Sequence, residues 1–138
     1  MTLNWMGLIA AAATFSGVWI GHVAVRKIEY HSPTIRLPSS VALLLGFLPE
    51  LGALMSDNAY LSAALGIFGI TVLWDALEFW RQHRRVWKGY APANPNNPRH
   101  VRLLQSSVMA TTIDWLDRNP VGKPLPADEL QRIREGAQ

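Results

Sequence analysis

Apolar side chains run almost unbroken over Leu3–Val25, Leu37–Met55 and Ala59–Phe79, and polar or charged residues bound each run. At 1.5 Å of rise per residue, runs of about 23, 19 and 21 residues match a hydrocarbon core of about 30 Å. The pattern predicts an all-α integral membrane protein with three transmembrane helices, at about 3–25, 37–55 and 59–80. Pro38 suits a first helical turn, where its missing N–H costs nothing. Asp57 and Asn58 are placed to cap the third helix. The Ser56–Asn58 link is so short that the second and third helices should form an antiparallel hairpin.

Periodicity weakens after residue 90. Ala91–Arg99 (APANPNNPR) reads as an extended linker, because its prolines and asparagines disfavour helix and strand. His100–Arg118 carries a helical stripe of Val101, Leu104, Val108, Met109, Ile113 and Leu116, which predicts an amphipathic helix ending at Asn119-Pro120. Val121–Pro126 reads as loop and Ala127–Glu135 as a short polar helix. The expected organisation is a membrane domain over 1–90, a linker over 91–99 and a helical tail over 100–138. A tail of that size is too small to bury a core of its own, so it should lie on the membrane or pack on a partner.

Charge adds direction to this picture. Of the 13 Lys and Arg residues, three lie between Arg26 and Arg36, ten follow Phe79, and none falls within the apolar runs. Cationic loops beside spanning helices stay cytoplasmic, so the N-terminus is expected outside and the C-terminus in the cytoplasm. The corresponding location is a bacterial inner (plasma) membrane. Trp5 and Tyr60 would mark the outer interface, and Tyr30, Trp80 and Trp87 the inner one. Residues 80–138 carry a net charge of +5 against −2 for the rest, so the cytoplasmic face should meet anionic lipid headgroups. The competing reading of a basic chain, nucleic-acid binding, is not expected, because the cations cluster at a helix end and form no separate basic module. With no cysteine, disulfides and thiolate chemistry are excluded. The N-terminal run lacks a basic leader and is too long for a cleaved signal, so a retained anchor is expected.

Polar groups inside apolar spans are costly and mark candidate sites. Glu50 follows Pro49 in the second span. It is a protonatable or ion-binding carboxylate at a helix break, or the helix ends near Leu48, or Glu50 reaches water a turn from the helix end. Asp75 and Glu78, at i and i+3, are expected to join Arg81, Arg85, His22, Lys27 and Glu29 in a polar cluster at the cytoplasmic helix ends. That cluster is either an ion-pair network fixing helix register or a relay or headgroup site. His22 is a weak candidate for holding haem, since a second histidine at membrane depth is missing. No other cofactor and no metal site is expected. Ala13, Gly17 and Gly21, with Ser62, Gly66 and Gly69, are small residues that let helices approach closely. No phosphate loop, HExxH motif or catalytic triad stands out, so catalysis by this chain is not expected.

Several stretches resemble one family. They are Asn4, Gly7-Leu8-Ile9, Thr14-Phe15, His22 and Val25-Arg26-Lys27-Ile28-Glu29-Tyr30 in the first half. In the second half they are Leu61-Ser62, Leu65-Gly66-Ile67, Gly69, Leu73-Trp74, Glu78, Gln82, Arg85-Val86, Lys88-Gly89, Pro92 and Asn94-Pro95. Over residues 1 to about 98 the chain resembles the small bacterial membrane proteins grouped as domain of unknown function four-four-nine-one. It departs from them at Val23, where a proline is expected, and in running on past the Asn94-Pro95 pair. The resemblance implies three inner-membrane helices and brings no activity. Small size and sparse chemistry suggest an accessory or scaffolding subunit of a larger membrane complex, respiratory, photosynthetic or transport. The alternatives are a homo-oligomeric transporter or channel using Glu50 or the polar cluster, and a haem- or quinone-binding anchor.

Overall fold

The first and third apolar runs become helices that begin where a side chain satisfies free backbone N–H groups. The protein is represented by a computed structural model that describes residues 3–115, 117 and 125–136. Its helices are α1 (Trp5–His31), α2 (Arg36–Met55), α3 (Ala59–Trp87), α4 (Pro98–Ser106) and α5 (Ala127–Gly136). Asn4 Oδ1 accepts from Gly7 N–H at 3.1 Å ahead of α1, and Asn58 Oδ1 accepts from Tyr60 and Leu61 N–H ahead of α3. The first three helices are long and apolar enough to cross a membrane. Two of them outrun their apolar spans: α1 continues through Arg26–Glu29 to His31, and α3 through Arg81–Arg85 to Trp87. Arg, Lys, Glu and Gln are good helix formers, so the helices persist after hydrophobicity ends.

The described residues fall into two compact units, one from 1–29 and 34–80, the other from 30–33 and 81–138. In the first unit α3 has contacts on two opposite sides. Thr71 and Asp75 meet α1 at Gly17 and Gly21, whereas Gly66, Gly69 and Leu73 meet α2 at Ala53, Glu50 and Gly46. At about 100° per residue these two lines lie roughly 180° apart on α3, so α1, α3 and α2 form a row along these contacts. The α1 side is a four-residue ridge of buried Gly17, Gly21, Val25 and Glu29, the spacing that interdigitates between helices. Val25, Ile35, Ala42, Ala76 and Phe79 close an apolar cluster. Large side chains on the flanks stay uncovered, including Phe15, Trp19, Leu44, Ile70 and Trp74.

The second unit corrects three expectations. The stretch 91–99 is not an extended linker: Ala91, Ala93, Asn94 and Asn97 are buried, and Pro98 already opens α4. Asn97 caps that helix by accepting from Arg99 N–H at 3.0 Å, with Pro98 at its first position. The amphipathic helix predicted over 100–118 ends at Ser106. Beyond it Ser107 Oγ donates to Trp87 O, Ala93 N–H donates to Thr111 O, and Trp115 Nε1 donates to Gly89 O. Pairings along the end of α3 thus displace the helical pattern; Leu116 and residues 118–124, including the expected Asn119-Pro120 stop, lie outside the described residues. The tail also contributes to a small core, with Val86, Ala91 and Ala93 packed against Leu103 and Leu104. That core is available because the last turns of α3 supply one wall.

The end of α3 is set by one glycine. Gly89 has φ +72°; its N–H donates to Val86 O, and Tyr90 N–H donates to Arg85 O at 2.8 Å. This is the paired closure of a left-handed helix cap, which favours glycine. A side chain at Gly89 would also run into the carbonyl oxygen of Met109.

Candidate functional site

Within the first unit the small residues singled out from sequence lie at helix contacts. Gly17 and Gly21 receive Thr71 and Asp75, Gly66 and Gly69 receive the α2 side chains, and Ser62 Oγ donates to Ala53 O at 2.8 Å. Ala13 is half-buried along the same ridge as Gly17. Gly46 was missed: a Cβ there would lie 2.6 Å from Leu73 N and 2.9 Å from Gly69 O, so backbone meets backbone. Its four-residue relation to Ala42 and Glu50 was the available signal.

Glu50 does not mark the end of a helix. α2 continues through Pro49 to Met55, and half-buried Glu50 lies in the notch at Gly69, where an added Cβ would be 2.9 Å from Oε1. Burying the stem of a carboxylate against glycine lets its charged end occupy space that another residue would fill.

The predicted polar cluster divides between the units. In the first, Asp75 packs on Gly21 and lies within electrostatic range of Glu78 and His22. Glu29 and Glu78 are buried and neither is left without a partner. His22 and Lys27 are exposed, His22 on the side of α1 that carries Phe15 and Trp19. In the second unit Arg85 Nη1 donates to Gln82 Oε1 at 2.8 Å, and Arg81 is exposed. Among the described residues no group of three His, Cys, Asp or Glu side chains could hold a metal ion.

A dense polar construction lies in the second unit, around a carbonyl in the last turn of α1 and one just beyond it. Asn94 Nδ2 donates to Tyr30 O at 3.1 Å, and Asn97 Nδ2 donates to Tyr30 O and Ser32 O at 3.0 and 2.9 Å. Arg99 Nε donates to Ser32 O, and Arg99 Nη1 donates to His83 Nδ1 at 2.6 Å. His100 is fully buried; its Nδ1 accepts from Asn94 N–H at 2.8 Å, and its ring stands edge-on to Tyr30 at 6.1 Å. These contacts satisfy helix-end carbonyls that would otherwise lack partners. The Asn97-Pro98 pair was a readable helix start; the carbonyls it serves, more than sixty residues earlier, carry no side-chain signal.

Beside this latch the last turns of α3 present a cationic face. Arg81, Arg84, Arg85 and Lys88 fall at i, i+3, i+4 and i+7, the spacing of one helix side. Two open clefts adjoin it. One of about 540 Å³ is lined by His83, Arg84, Trp87, Lys88 and Leu103. The other, about 350 Å³, is lined by Arg81, Arg84, Arg85, Lys88 and Tyr90. Arg84 and Lys88 belong to both.

A family match covers residues 4–97, from the cap of α1 through the three apolar helices to the residue that caps α4. No curated protein and no solved structure matches the chain. With about two thirds of its length matched, the chain belongs to the family described as domain of unknown function (DUF4491).

Proposed function

We propose that this protein is a non-catalytic accessory subunit of a larger membrane complex in a bacterial plasma membrane, its N-terminus outside and its second unit cytoplasmic. The observation that supports it is the outward face of α1. Leu8, Phe15, Trp19 and His22 recur there at helical spacing and all are exposed. An ionisable side chain within a spanning segment normally faces protein or water, and His22, though within electrostatic range of Asp75, stays exposed in the isolated chain. A neighbouring subunit covering this stripe accounts for both the aromatic rings and the histidine. The orientation follows from the cationic clusters after α1 and at the end of α3.

Solubilised gently from native membranes, the protein should migrate with other membrane subunits well above its own mass of 15.4 kDa. His22→Leu combined with Trp19→Ala should release it from them. A monodisperse homo-oligomer as the sole species in those membranes would overturn the proposal. The outward His22 also favours a second reading, a haem or quinone shared with that neighbour, which predicts a chromophore in the complex that His22→Leu removes. Glu50, locked against Gly69, fits a helix-registering role better than an open conduction path.

A further inference from the structure

We propose that Arg84 and Lys88 form a binding site for the phosphate-bearing headgroup of an anionic phospholipid. The inference rests on the reading that α1–α3 span a bilayer. Both cations are exposed, and each lines both clefts at the end of α3. Among the described residues no acidic side chain lines either cleft. Neither side chain has a hydrogen-bond or ion-pair partner among the described residues, whereas nearby Arg85 and Arg99 are engaged with Gln82 and His83. Four like charges at i, i+3, i+4 and i+7 repel one another, and an anion between them relieves that repulsion. Phosphate oxygens suit the site chemically: guanidinium offers a planar fork and ammonium a point charge, both favouring charge-assisted hydrogen bonds.

Position along α3 selects lipid over free phosphate. The apolar run ends at Phe79, so Arg84 lies about 8 Å and Lys88 about 13 Å further along the axis. The headgroup layer beyond the hydrocarbon edge is about 5–8 Å thick. Lys88 reaches back into it along its own stem. Trp80, Trp87 and Tyr90 are exposed along this stretch and just past it, as amphipathic rings are at bilayer interfaces. Trp87 and Leu103 provide apolar wall for the glycerol and first acyl carbons in the larger cleft.

The test is a titration of the full-length, delipidated protein in neutral detergent with short-chain phosphatidylglycerol, phosphatidylcholine and inorganic phosphate. Phosphatidylglycerol should bind at least about tenfold tighter than the other two, over phosphatidylcholine through its net negative charge and over inorganic phosphate through glycerol and acyl contact with Trp87 and Leu103. Arg84→Gln with Lys88→Gln should erase that preference. The charge-conserving pair Arg84→Lys with Lys88→Arg should retain most of it, which guards against a folding effect. Arg36→Gln with Arg102→Gln removes the same charge from exposed positions outside the clefts and should leave affinity within about twofold. Equal weakening by both Gln pairs would reduce the site to diffuse surface charge and overturn it. Inorganic phosphate binding as tightly as the lipid would overturn the headgroup assignment. The titration uses isolated protein and the subunit test uses native membranes, so either can fail alone.

Discussion

Asn97 combines two jobs that individual residues rarely share. Its Oδ1 caps α4, and its Nδ2 donates to Tyr30 O in the last turn of α1 and to Ser32 O just beyond it, all while only 2% exposed. An N-cap is worth about 1 kcal/mol, and a buried carbonyl left unpaired costs about 1–3 kcal/mol. Asn97→Ala should therefore destabilise the second unit by about 2–3 kcal/mol. Limited proteolysis in detergent would reveal it as faster cleavage after residue 87, with α1–α3 left intact. Asn97→Asp keeps the cap and loses the donor, so it should behave more like Ala than like Asn. If Asn97→Asp matched the native rate, the cap alone would matter and the carbonyl latch would be unimportant. Asn96, one position earlier but exposed, should tolerate alanine.

At the level of the helices, close approach concentrates where Gly46 of α2 crosses Gly69 of α3. A methyl group at Gly46 would press on backbone atoms, which cannot rotate away, so Gly46→Ala should cost about 1–3 kcal/mol as overpacking. Gly7→Ala, whose Cβ would meet nothing nearer than its own capping Asn4 at 3.7 Å, should instead gain up to about 1 kcal/mol in helix propensity. Thermal melts of the two variants in one detergent should move in opposite directions. The three long helices were legible because hydrophobicity over some twenty residues is a collective signal that no single side chain can reverse. The glycine ridges were legible in part because four-residue spacing is local, although Gly46 was overlooked. The second unit was legible only at its far end, where the short polar helix expected over Ala127–Glu135 is α5. Elsewhere in it, long-range side-chain bonds join Asn94 and Asn97 to backbone carbonyls 64 to 67 residues earlier, and a carbonyl has no letter in the sequence. Prolines and asparagines that read as a loose linker are turn and cap residues held by that distant partner. The polar cluster fared similarly: spacing placed Asp75 and Glu78 on one helix, but the outward facing of His22 depends on which side of α1 packs against Thr71.

For the whole molecule, the asymmetry of charge and the geometry of the end of α3 make one joint demand. If α3 spans a bilayer once and Arg81–Lys88 meets anionic headgroups, the short α2–α3 link must lie on the opposite side. That link holds Asp57 and no cation, which suits the face from which positive charge is depleted. The chain contains no cysteine, so single cysteines report topology without background. Asp57→Cys, exposed in the link, should react in intact cells with a maleimide that cannot cross membranes. Gln105→Cys, exposed on α4, should react only after the membrane is opened. Labelling of both from outside would exclude α3 as a spanning helix, and labelling of Gln105→Cys alone would invert the protein. In the inverted case the cations of α3 would face the outer leaflet, and the lipid site would have to be sought among outer-leaflet headgroups. The same pair of labels thus fixes the side on which any partner of the second unit must be found.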